Sequence, residues 1–193
     1  MKLARLSAVV AVILLAIAAV SQSTVTPAPT TETKPYTSPD GKFTVQFPKA
    51  PKVETDHFKV KGVDVTETSY SVLDEEHKGI WIVVQRVYPT KIDEQKEVDA
   101  HWAEFQDGTK VLSGPFDSTK MVGHPATGGV VAVPISEGRY ILTMVIITAA
   151  DDSVYMVDYA CDYDHAKDVP PTTPVSFIKS FKINTKQGAQ PQK

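Results

Sequence analysis

Apolar and polar positions alternate from Phe43 to Phe47 (FTVQF), the period of a strand with one covered face, and Pro48 ends the run. Before it, Ser38-Pro39-Asp40-Gly41 is a turn tetrad with proline second and glycine fourth, as type I turns prefer. Val53 to Val60 and Val63 to Val72, separated by Lys61-Gly62, predict a hairpin. Ile80 to Tyr88 departs from alternation. It opens IWIVV, and a strand apolar on both faces is a strand covered on both faces. A helix over 91–106 follows: Thr90 and Asp93 make an S/T-x-x-D/E start, and Asp93, Glu94 and Glu97 load the first turns with acids that the helix dipole favours. Val98, Trp102 and Phe105 then form a narrow apolar stripe, and Gly108 is a natural stop.

Four more strands are predicted, Lys110 to Met121, Thr127 to Ile135, Arg139 to Thr148 and Val154 to Ala160. Their connections are too short for crossover helices, so the pairings are antiparallel. Ile141 to Ile147 is again apolar on both faces. Thr173-Pro174, a cap followed by proline, starts a second helix near 174–180 carrying Val175, Phe177 and Ile178 ahead of Phe181. Doubly covered central strands need a layer on each side, and the two helices supply them. The chain therefore reads as an α+β domain, an antiparallel sheet of about seven or eight strands sandwiched between helices.

That domain spans 36–184. Residues 185–193 are polar and read as a disordered tail, and 22–35 (QSTVTPAPTTETKP) as a disordered Thr/Pro-rich linker. Ahead of the linker, Lys2 and Arg5 precede a nearly unbroken apolar run from Leu6 to Val20, with small residues at Ala19-Val20-Ser21. This is the layout of a secretory signal peptide over 1–21, cleaved near Ser21. The run is short of the roughly 20 apolar residues a spanning helix needs, so membrane attachment is expected only if the segment is retained as a tether. No cysteine lies near its end to carry a lipid. The expected location is therefore exported, periplasmic or extracellular.

Charge and cysteine content narrow the partners. The formal net charge is −3, and cleavage would remove two basic residues and no acidic one. A mildly acidic surface without a basic patch argues against nucleic acid as a partner. Cys161 is the single cysteine, so stability rests on an ordinary core and a buried free thiol is expected. Asn184-Thr185-Lys186 is not a glycosylation acceptor.

Tyr36 to Pro48 (YTSPDGKFTVQFP) resembles the "SPDGKFSVxFP" opening of bacterial exported domains related to PsbP. Gly123-His124-Pro125-Ala126 stands where that group tends to carry Gly-x-Pro-Gly, with Ala126 departing from the glycine. Phe177 to Ile183 (FIKSFKI) is similar to the closing "FLxSFKL" helix of the group. The resemblance implies an α/β/α sandwich around an antiparallel sheet. It implies no shared catalytic site, since the fold serves photosystem extrinsic subunits, a nuclear-import regulator, and chaperone-like and envelope proteins. The function expected from it is binding of a protein or small ligand, by a monomer that is not an enzyme.

The densest polar stretch, Asp158 to His165 with Asp168 beyond, is the candidate for chemistry. Asp158, Asp162, Asp164 and His165 have metal-ligating side chains. Yet the stretch has no glycine for a calcium loop's turn, no distal glutamate, and no second Cys/His pair for zinc, so no metal and no cofactor are expected. Cys161 with His165 has the residue types of a thiol hydrolase, the enzymatic alternative, but their close spacing is not the usual spatially assembled pair, and an acidic loop is the expectation. His101, flanked by Glu97 and Glu104, reads as part of a solvated helix face, and His124 as a turn residue. There is no Gly-x-Ser-x-Gly elbow, and Gly128-Gly129 is too short to cradle phosphate. Trp81, Tyr88, Trp102 and Tyr140 could line a groove, although a core role is the default for aromatics on such faces.

Overall fold

The structure is a computed structural model that describes residues 35–118, 122–136, 139–169 and 172–184, without the side chains of 165, 167 and 168. The predicted leader, nearly all of the linker and the tail lie outside the described residues. No helix among the described residues is long and apolar enough to cross a membrane.

Among the described residues, ten strands and two α-helices of nine or more residues build the domain. Tyr36–Thr37 (β1) and Phe43–Val45 (β2) lead to a three-strand meander, Lys52–Val60 (β3), Val63–Asp74 (β4) and Gly79–Val87 (β5). Glu94–Gln106 (α1) follows, then a four-strand meander of Lys110–Asp117 (β6), Ala126–Ser136 (β7), Arg139–Ala150 (β8) and Ser153–Asp162 (β9). A 3-10 helix (Tyr163–Asp168), Thr172–Ser180 (α2) and Lys182–Ile183 (β10) close the chain. The two meanders join through β5 and β9 into one antiparallel seven-stranded sheet, ordered β3-β4-β5-β9-β8-β7-β6. Lys61 and Gly62, both at positive φ, make the β3–β4 turn that the hairpin reading requires.

Sheet count is where the sequence reading needs correction. Phe43 to Phe47 does not join the main sheet. Instead β2 pairs antiparallel with β1 on one side and β10 on the other, forming a separate three-stranded sheet. Ile183 sits opposite Phe43 and Lys182 opposite Thr44, so the two ends of the domain are tied together. The cause is apolar: Phe43, Val45 and Phe47 are buried against Tyr70, Tyr155, Phe177 and Phe181, on top of the main sheet and not at its edge.

The layers divide two cores. On one face Val98, Trp102 and Phe105 of α1 pack on Ile80, Ile82, Val84, Val131, Val145, Ile147, Met156 and Ala160. On the other, α2 and the small sheet cover Tyr70, Val72, Val83, Tyr155 and Val157. β9 is the middle strand, and Ser153 through Cys161 are buried without interruption, as double coverage demands. Gly129 marks a close approach beneath α1. A Cβ there would stand 2.6 Å from the Trp102 ring, so the indole lies on bare backbone.

Two helix starts also shift. α1 begins after Asp93, whose carboxylate accepts the Lys96 N–H (3.2 Å), and not at Thr90. The Tyr88 and Ile92 N–H groups donate to the carbonyls of Asp152 and Asp151, which holds that segment extended and delays the helix. α2 begins at Thr172, placing Pro174 inside its first turn, where no backbone donor is lost.

Candidate functional site

Seven strands at ~4.8 Å spacing span ~29 Å between edge strands, while a nine-residue helix is only ~13 Å long. α2 and the small sheet therefore cannot cover their whole face. The part that no described residue covers is a groove of about 350 Å³ beside α2. Gly128 and Val130 of β7 and Met144 and Ile146 of β8 form its floor. Val175 and Ile178 of α2 form one wall, and Phe116, Asp117 and Ser118 the opposite rim. Val130 pairs with Met144 and Gly128 with Ile146, so the floor is a register-fixed ladder. Gly128 keeps it low: a Cβ there would meet the Ile146 side chain at 2.9 Å. Val130, Met144 and Val175 are half-buried and Phe116 is 48 % exposed, an apolar concavity open to solvent. A more open depression of about 610 Å³ lies at the far end of the sheet, between the β3–β4 hairpin and Tyr88-Pro89.

Two polar constellations lie elsewhere. Beneath α1, the Arg86 guanidinium donates through Nε (3.0 Å) and Nη2 (2.7 Å) to one oxygen of Glu67, directly opposite on β4. Arg86 also lies over the Phe58 ring at 5.4 Å. His101 completes the group. Its Nδ1 lies 2.8 Å from the Glu97 carbonyl, which can only accept, so Nδ1 carries the hydrogen and Nε2 accepts from Arg86 Nη1 at 2.8 Å. The ring is thus neutral, and burial, reinforced by the Arg86 charge, holds its pKa below the usual histidine value. This overturns the reading of His101 as a solvated helix position: it is 8 % exposed, because Arg86 offers it a buried partner. Both charged partners are buried, so the pair presents no exposed cation to a ligand.

At the β4–β5 turn, the Tyr159 hydroxyl donates to Asp74 Oδ2 (2.8 Å), and His77 Nδ1 lies 3.0 Å from the same carboxylate. A His–Asp pair of this kind orients an imidazole, as in general-base dyads. Cys161 lies near it, across the ladder from Gly79, but makes no hydrogen bond to His77 among the described residues. Burial, with the nearby carboxylates, pushes the Cys161 thiol up to about 11. It is a protonated thiol at neutral pH, packed with Tyr159 and Val169. We expect native protein to react with a disulfide-exchange reagent about a hundredfold more slowly than unfolded protein, from the pKa alone. Equal rates in buffer and in denaturant would contradict this burial.

The remaining sequence candidates are dispersed by the strand period. Asp158 and Cys161 are not in an acidic loop but within β9, on opposite faces. Asp158 enters the α1 core and Cys161 faces the 3-10 helix. Asp162, four residues along the strand from Asp158 and so ~13 Å away, is engaged at both oxygens. It accepts from the Asp164 N–H (3.1 Å) and from Arg139 Nη2 (3.1 Å). Asp164 is exposed in the 3-10 helix, and the side chain of His165 lies outside the described residues. No group of three His, Cys, Asp or Glu able to hold a metal ion occurs among the described residues.

Trp102 is buried, Trp81 and Tyr88 are partly buried against the two cores, and Tyr140 is exposed; none lines the groove. The groove residues were not legible as a site, because Val130, Met144 and Val175 look like any core valine or methionine until the extent of the cover is known. No family model, curated protein or solved structure matches this chain, and the functional reading rests on its own residues.

Proposed function

We propose that this chain is an exported, non-enzymatic binding module of PsbP-like α/β/α architecture that takes a small apolar ligand in the groove beside α2. One observation carries the reading: a concavity of about 350 Å³, apolar on floor and wall, framed by two paired strands and a helix. Small-molecule sites are typically concave, mostly apolar and of about 300 Å³ or more. The likeness to PsbP-related domains is supported by the order of layers, and by the meeting of Tyr36–Thr37, Phe43–Val45 and Lys182–Ile183, from the two phrases that carry it, in one small sheet. Against the thiol hydrolase stands the protonated, buried Cys161.

A neutral apolar fluorophore, N-phenyl-1-naphthylamine, should bind saturably at one site. Val130→Lys, which places an ammonium on the half-buried floor, should weaken that binding by about tenfold or more without lowering thermal stability appreciably. Binding that is absent, or unmoved by both Val130→Lys and Val175→Lys, sinks the proposal. Export is tested separately by N-terminal sequencing of mature protein from the producing cell: a start near Gln22 supports cleavage, and a start at Met1 in membrane fractions supports the tether.

A further inference from the structure

Asp158 stands on the middle strand of the sheet with no exposed surface, pointing into the core beneath α1. Ile82 of β5 and Val145 of β8 lie directly opposite it on either side, and Met156 and Ala160 flank it along β9. Among the described residues its side chain has one partner, the Thr143 hydroxyl, which bonds Oδ1, and Oδ2 has none. Thr143 also lies 3.4 Å from the Tyr159 carbonyl. When the carboxyl is protonated, it can donate to Thr143 Oγ1 while Thr143 passes its own hydrogen to that carbonyl. When it is ionised, Thr143 must turn to donate to it, and one full charge is left in an apolar layer with an empty oxygen.

We propose that Asp158 and Thr143 form a proton-operated latch beneath α1: the neutral pair lets the helix seat on the sheet, and ionisation of Asp158 admits water and loosens that layer.

Other charges do not offset the ionised form. From β5 the α1-facing residues Ile80, Ile82 and Val84 are apolar, and Arg86 at the end of that row is bound to Glu67 of β4. From β8, Ile141, Val145 and Ile147 are apolar. From α1 come His101, neutral and paired, Glu97, half-buried and bonded by the Tyr88 hydroxyl, and Glu104, exposed. Along β9, Asp162 is tied to Arg139. Burial, which raises the Asp158 pKa, outweighs the Thr143 bond, which lowers it, and together they leave it at about 7.

The sign follows from linkage. An acid whose folded-state pKa lies above its unfolded value of 3.8 contributes stability fully present below about pH 4 and lost as pH rises toward 7. His101 has the opposite slope: its depressed pKa makes stability fall as pH drops below about 6.5. The two are separated by comparing wild type with Asp158→Asn, in which His101 is unchanged.

Hydrogen exchange of the α1 amides in the full chain, corrected for intrinsic rates, reads the latch. In wild type the opening equilibrium should rise by up to about tenfold per pH unit between pH 5 and 7 and level off above, relative to Asp158→Asn. Identical pH profiles for wild type and Asp158→Asn overturn the proposal. Should Asp158→Asn fail to fold, Thr143→Val serves. Removing the hydroxyl that favours the ionised form should move the midpoint to higher pH, and an unmoved midpoint overturns the latch equally.

Discussion

Glu67→Ala should destabilise the domain by about 3–5 kcal/mol, because it strands a buried guanidinium. Glu67 and Arg86 side chains are only 6 % and 10 % exposed, and one Glu67 oxygen takes both Arg86 donors. Without it, the cation keeps the His101 ring nitrogen, the face of Phe58 and its bond with the Tyr88 hydroxyl, but no carboxylate bonded to it. The pair itself has no such net value, since burying two charges costs much of what their attraction returns. Glu67→Leu combined with Arg86→Met should therefore recover most of the loss, and chemical denaturation of the single and double variants measures the contrast. The double variant should also free His101 from the neighbouring charge that helps hold its pKa down, and its ring resonances should titrate at higher pH than in wild type. A Glu67→Ala cost under about 1 kcal/mol, or a double variant no better than the single, would show the network to be solvated rather than buried.

Most strands were legible because their periodicity reports which faces are covered. IWIVV at Ile80 and the run from Ile141 mark β5 and β8 as doubly covered, and each lies beside the middle strand. The antiparallel pairings followed from short connections alone. What periodicity does not report is which sheet a strand enters: Phe43 to Phe47 has the same alternation whether it extends the main sheet or lies across it. Nor does it reveal coverage from a distance. His101 reads as exposed on its helix, because the residue that buries it, Arg86, lies on β5 and meets it only after folding.

The candidate chemistry failed to assemble for a related reason. Asp158, Cys161 and Asp162 are close in sequence, but a strand sends Asp158 and Cys161 to opposite faces and spaces Asp158 from Asp162 by ~13 Å. Proximity along an extended chain is not convergence. The groove shows the converse, since its floor and wall come from β7, β8 and α2, and no local pattern distinguishes an uncovered apolar position from a covered one.

Phe43→Ala should cost about 3–5 kcal/mol, comparable to the loss of Glu67 but by another route. Phe43 has no exposed surface and meets three rings at once, with centroids 5.1 Å from Tyr70, 5.9 Å from Tyr155 and 5.5 Å from Phe181. Truncation leaves a cavity that these large rings, held by the sheet and by α2, cannot easily close. Tyr36 is the control. It sits at the margin of the same cluster, half-buried, and Tyr36→Ala should cost far less. Because Phe43 faces Ile183 across the β2–β10 pair, and β10 follows α2 after one residue, the cavity should also loosen α2. α2 carries Val175 and Ile178, the wall of the groove. Apolar-probe affinity of folded Phe43→Ala should therefore fall, although Phe43 does not line the groove, whereas Tyr36→Ala should leave it unchanged. Affinity equal to wild type in folded Phe43→Ala, with the stability loss intact, would show that the small sheet holds the domain together without shaping the groove.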